Sequence, residues 1–125
     1  MKKSVLAIVM LLFVGFAVNA QNQDRDLPSI DERVKMMTEL MTEKLSLTQE
    51  QIPEVEKINR KSAEEIDKIR AMTDRRKKFT AFRNSQMEKN KELKAVLTKE
   101  QYKEYEKIKT ELKKKAKEAR KQRKN

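Results

Sequence analysis

Beyond position 20 the chain contains no glycine, and only two prolines, Pro28 and Pro53, interrupt it. Tight β-hairpins draw on glycine at their turns, so such a chain has few ways to reverse a strand. What remains is dominated by Lys, Glu, Arg, Met, Leu and Gln, the residues that lose least on entering a helix. The predicted fold class is all-α. Only 37% of residues are hydrophobic against 41% charged, which is thin for a self-sufficient core and favours a dimer over a monomer.

The first twenty residues read differently. Lys2 and Lys3 precede an apolar run from Val5 to Val18, and Val18-Asn19-Ala20 offers a small-residue cleavage site before Gln21. The run is shorter than the roughly 20 residues of a spanning helix. The expectation is a cleaved signal peptide over residues 1–20 and a periplasmic mature protein. With no cysteine, neither disulfides nor a lipidated cleavage site enter the picture. A flexible segment over 21–28, a helical domain over 29–112 and a basic tail over 113–125 complete the predicted organisation.

The absence of histidine and cysteine also removes the imidazole base, the thiolate nucleophile and the usual zinc ligands. Carboxylates are plentiful but spaced to pair with lysines along helix faces, and no glycine-rich phosphate loop exists. Neither an enzyme nor a cofactor or metal site is expected. The formal net charge of +11 is uneven. Residues 21–74 are net acidic and residues 75–125 strongly basic, with most of the excess in 113–124, an asymmetry suited to an antiparallel dimer.

One pentapeptide occurs twice, as Leu47-Thr48-Gln49-Glu50-Gln51 and as Leu97-Thr98-Lys99-Glu100-Gln101. Each copy is a helix start. Thr48 or Thr98 takes the N-cap, and Gln51 or Gln101 reaches back to close a capping box. Leu47 can pack on Ile52 and Leu97 on Tyr102 as hydrophobic staples. Glu50 and Glu100 face the positive end of the helix dipole.

Four helices follow from the apolar spacing. The first starts at Ser29 and carries Ile30, Val34, Met37 and Met41 on one face, widened by Met36 and Leu40. The second runs from Gln49 to about Met72 through Ile52, Val55, Ile58, Ser62, Ile66, Ile69 and Met72. Pro53, just past its first turn, predicts a kink or a start at Ile52. Glu56 with Arg60 and Glu64 with Lys68 are expected i, i+4 pairs. At Thr73-Asp74 a turn capped by Asp74 would open a third helix bearing Phe79, Phe82, Met87, Leu93 and Val96. Two arms of about 35 Å folded as a hairpin would return Leu97 beside Leu47; a single helix of roughly 70 Å is the alternative. The fourth helix carries Tyr102, Tyr105, Ile108 or Lys109, Leu112, Ala116 and Ala119, ending in a frayed or disordered basic tail.

The paired motifs behind an export signal resemble the LTxxQ family of periplasmic stress proteins, of the Spy and CpxP type, over roughly residues 30–112. The resemblance implies a four-helix hairpin arrangement in a thin, cradle-shaped homodimer. It implies an ATP-independent chaperone that binds unfolded or misfolded envelope proteins through a charged, partly apolar surface. Methionine adapts to varied partners, so Met36, Met37 and Met41 are candidate client contacts or core filling. Arg75, Arg76, Lys77, Lys78 and Arg83, interleaved with Phe79 and Phe82, are a second candidate client surface or a solvated turn beside core phenylalanines. Two alternatives stay open: an envelope-stress adaptor docking on the periplasmic domain of a sensor kinase, and a basic-tail binder of anionic lipid or lipopolysaccharide. Nucleic acid is not an expected partner of an exported protein.

Overall fold

The computed structural model describes residues 27–124, so the signal peptide expected over 1–20 and most of the segment expected over 21–28 lie outside the described residues. The described residues form four helices and no strand: α1 (Ile30–Leu45), α2 (Gln51–Arg70), α3 (Arg75–Val96) and α4 (Lys99–Lys124). No helix among them is long and apolar enough to cross a membrane.

The predicted caps form where the sequence places them. Ser29 accepts a hydrogen bond from the Glu32 amide (3.2 Å). Asp74 accepts from the amides of Arg76 (2.9 Å) and Lys77 (3.2 Å), which opens α3 and makes α2 and α3 a hairpin rather than one long helix. Pro53 has no amide hydrogen to give the Gln49 carbonyl, so the regular ladder of α2 begins at Gln51, whereas α4 begins directly after Thr98. At the far end, α4 continues as helix through the basic segment to Lys124.

α1 ends on an unusual residue. Ser46 sits in the left-handed region (φ 53°, ψ 54°), the position where glycine is the common choice. In a glycine-free stretch serine takes the steric cost, and the amides of Ser46 and Leu47 both turn back to the Thr42 carbonyl.

α2 packs on α1 at one side and on α3 at the other, while α4 makes smaller contacts with α1 and α3. The core lies at the end of the molecule where the two pentapeptides meet. Met41, Leu45, Leu47, Val55, Ile58, Leu93, Leu97 and Tyr105 form it, with Ile52 and Tyr102 packed alongside. Both expected staple pairs therefore join one cluster. Toward the hairpin tip the interior mixes apolar Val34, Ala63 and Ile69 with polar groups, and ion pairs tie the helices. Arg33 donates to Asp67 (2.7 Å) and Arg60 to Asp31 (2.6 Å) across α1 and α2. Lys61 donates to Glu88 (2.9 Å) and Glu92 (2.8 Å) across the hairpin. Arg60 thus reaches α1 where the sequence suggested Glu56 on its own helix.

Two apolar expectations for α3 fail. Phe79 is 67% exposed and Met87 61% exposed, while Ser85 and Lys89 are buried in their place. The reason is the facing surface. Ser85 faces α2, where Glu65 accepts its hydroxyl (2.7 Å), while Phe79 and Met87 stand on the sides of α3 that no other helix covers.

Candidate functional site

Three features gather side chains with chemistry: the paired motifs, the outer side of α3, and a cleft between α1, α2 and α3.

At the paired motifs, each threonine and glutamine closes its capping box. Thr48 Oγ1 accepts from the Gln51 amide (3.2 Å) while the Thr48 amide donates to Gln51 Oε1 (3.0 Å). Thr98 and Gln101 repeat this at 3.1 and 2.9 Å. The two carboxamides then bond each other. Gln51 Nε2 donates to Gln101 Oε1 (2.7 Å), and Gln101 Nε2 donates to Gln51 Oε1 (3.0 Å). Their second N–H groups reach the carbonyls of Val96 (3.1 Å) and Leu45 (3.2 Å). The last turns of α3 and α1 leave those carbonyls without helical donors. Four helix ends are fastened by two side chains. The arrangement uses every donor and both acceptor directions of each amide, so it leaves nothing to offer a ligand.

The outer side of α3 is different. Arg75, Phe79, Arg83 and Met87 follow at four-residue steps, which places them in one continuous row, and all four are exposed. Arg76 and Lys77 are exposed beside its start, and Lys78 is half-buried. Of the methionines proposed from sequence, Met41 is 1% exposed and belongs to the core. Met36 and Met37 are half-buried, and Met37 packs against that core. Structure therefore separates the sequence candidates: Arg75, Phe79 and Arg83 share a row, Arg76 and Lys77 line a different side of α3 with Met72, Thr80 and Asn84, and the methionines of α1 join neither.

Phe82 turns away from the row and lines the cleft with Val34, Met37, Ala63 and Ile66. This cavity measures about 70 Å³ and is open to solvent at one side. Its polar lining is Arg33, Asn59, Ser62, Gln86 and Lys89. Asn59 Nδ2 donates to Thr38 Oγ1 (3.1 Å) and lies 3.7 Å from Met41 Sδ. In this orientation Asn59 Oδ1 points away from both. Asn59 Oδ1, Ser62 Oγ and Arg33 Nε are all buried without a hydrogen-bond partner. Burial lowers the Lys89 ammonium to a pKa of about 8, and the nearby charge of Lys109 acts in the same direction. Burial, with the Lys113 charge, also lowers Lys109, which donates to Asn90 (3.1 Å) and lies 4.9 Å over the Tyr105 ring.

Sequence reading missed Asn59 and Lys89, and it placed Ser62 only as a position in the α2 stripe. A signal was present: Lys89 lies four residues before Leu93 and seven after Phe82, on the inward side of α3. Among the described residues no group of His, Cys, Asp and Glu could hold a metal ion.

A family profile, described as a domain of unknown function (DUF4890), matches residues 17–105. The chain belongs to the DUF4890 family. The matched span holds both pentapeptides, the hairpin and the cleft, and it ends at Tyr105, ahead of the basic end of α4. No curated protein and no solved structure matches the chain.

Proposed function

We propose that this DUF4890 protein is an ATP-independent periplasmic chaperone that holds unfolded or misfolded envelope proteins on the outer side of α3. The observation that carries the reading is the row Arg75, Phe79, Arg83 and Met87, in which Phe79 stands in solvent between two guanidinium groups and Met87 follows the second. Isolated exposed apolar residues are ordinary, but two in one charged row make a surface of mixed character. Long-range attraction speeds capture of acidic segments, while scattered apolar contacts hold loosely enough for a client to fold. The resemblance to LTxxQ proteins of the Spy and CpxP type supports the same reading, as does the charged and apolar segmentation of residues 1–20. On this reading the protein works as a thin cradle-shaped homodimer in which two α3 rows face one client.

The test is light scattering of an aggregating acidic client with increasing amounts of the purified protein, without ATP, at low and high salt. Suppression near stoichiometry that weakens with salt is the expected result. No suppression at any ratio overturns the reading, and unchanged suppression after Arg75, Arg76, Lys77, Lys78 and Arg83 are replaced by serine removes this surface from it.

A further inference from the structure

The basic end of α4 takes no part in the capping core, the cleft or the α3 row. Residues 113–123 hold seven lysines and arginines against one glutamate, Glu118. None of the seven makes a hydrogen bond or an ion pair among the described residues. Elsewhere in the fold cations find anions, as Arg33 does on Asp67, Arg60 on Asp31 and Lys61 on Glu88 and Glu92. The sequence alone suggested a frayed or disordered tail here, but α4 stays helical to Lys124. Its inner side is held against the body: Leu112 and Ala116 are buried, and Leu112 shares a groove with Leu40 of α1.

A helix held in place sorts these charges by direction. At 3.6 residues per turn, Lys113, Lys114, Lys117, Arg120 and Lys121 fall within an arc of about 120° that leaves out Leu112, Ala116 and Glu118. All five are exposed. They run along ~12 Å of helix axis. Neighbours three and four apart carry the same sign, which works against the helix. The crowding reaches back one turn, where Lys109 is held below the ordinary lysine range first by burial and then by the Lys113 charge. An anion lying along the stripe relieves this repulsion, and the shape of the stripe selects among anions. Cations on one straight side of a helix, with no large apolar side chain among them, fit a flat surface of spread negative charge. They do not fit insertion into hydrocarbon, because the apolar side chains of this segment are turned into the body. Nor does the stripe offer aromatic faces on which bases could stack.

We propose that α4 docks the protein on bilayers containing anionic phospholipid, with Lys113, Lys114, Lys117, Arg120 and Lys121 laid along the headgroup phosphates. The potential of a charged bilayer decays within a Debye length, about 8 Å at physiological salt, so a stripe lying flat gathers all five contributions. Each cation then strengthens binding about five-fold. The stripe follows the span matched by the family profile, which ends at Tyr105, and it stands apart from the α3 row. Membrane docking and client holding therefore fail independently.

The test titrates the purified protein with vesicles of phosphatidylcholine alone and of phosphatidylcholine with about 30% phosphatidylglycerol, and reads the bound fraction by co-sedimentation. Binding to the anionic vesicles only, lost when salt is raised to about 0.5 M, is the expected result. Lys113→Gln combined with Lys117→Gln and Lys121→Gln should weaken it about 100-fold, since glutamine keeps the helix propensity and removes the charge. Aggregation suppression should be the same in that variant as in the parent. Lys35→Gln combined with Lys57→Gln and Lys68→Gln removes equal charge from exposed positions of α1 and α2, and should change affinity less than about three-fold. Equal losses in the two triple variants reduce the effect to net charge and overturn the proposal. Binding that survives high salt, or that is as strong on neutral vesicles, overturns it as well. Stronger competition from lipopolysaccharide or a duplex oligonucleotide than from unlabelled anionic vesicles assigns the stripe to that polyanion instead. The salt and competition measurements use the unaltered protein, so they decide the matter whether or not the variants fold.

Discussion

The carboxamides of Gln51 and Gln101 bond each other reciprocally at 2.7 and 3.0 Å, joining residues fifty positions apart at the point where four helix ends meet. Replacing either by alanine removes the back-bond of its capping box, worth about 1 kcal/mol, and leaves the partner amide and a helix-end carbonyl unsatisfied, at about 1–3 kcal/mol. Gln101→Ala should therefore cost ~3 kcal/mol in chemical denaturation. The double alanine variant should cost less than the sum of the singles, because the second substitution removes a group already orphaned.

Lys89 gives the fold a pH dependence with a definite sign. Its folded-state pKa of about 8 lies below the ordinary 10.5, so between those values the folded chain holds fewer protons than the unfolded one. Stability should rise with pH through that window, and below about pH 8 the cost of the buried ammonium is constant. Arg33 on α1, Lys61 and Glu65 on α2, Glu88 and Glu92 on α3 and Lys109 on α4 are the charged groups around it. Lys89→Met should stabilise the protein by about 3 kcal/mol at pH 7, a gain that fades toward pH 10.5. Denaturation midpoints measured from pH 6 to 10 check both sign and window.

Ser46 pays a conformational cost that glycine does not. Ser46→Gly should raise stability by ~1 kcal/mol, while Ser46→Val should lower it, since a β-branched side chain resists a positive φ. Thermal denaturation of the two variants should move the midpoint in opposite directions.

The contacts of Lys61 with Glu88 and Glu92 are exposed and should contribute little. Lys61 holds the Glu88 carboxyl below its ordinary range, so whatever stability the pair adds is present at neutral pH and lost as pH falls through that range. Lys61→Ala should shift the unfolding midpoint slightly in low salt and not at all in about 1 M salt.

Phe79 and Met87 stand in solvent, so Phe79→Ser with Met87→Ser should leave stability within about 0.5 kcal/mol of the parent. The same pair should weaken aggregation suppression, separating surface function from folding in one variant.

Much of this protein was legible from local rules. Caps at Ser29, Asp74 and Thr98 depend on residues three apart, and the apolar stripes of α2 and α4 depend on the helical repeat, so the chain itself determined four helices and most of their starts, whereas α2 begins at Gln51 and at neither Gln49 nor Ile52. Near α3 those rules ran out. Phe79 and Met87 are apolar and well spaced for burial, yet Ser85 and Lys89 hold the inward positions, where Ser85 meets Glu65 on the facing helix. The Gln51–Gln101 pair and the unpartnered polar groups around Lys89 are likewise products of assembly. Capping is a property of neighbouring residues, whereas what a glutamine or lysine meets across a bundle is set by how far each helix rotates when the hairpin closes, and only the tertiary structure decided that.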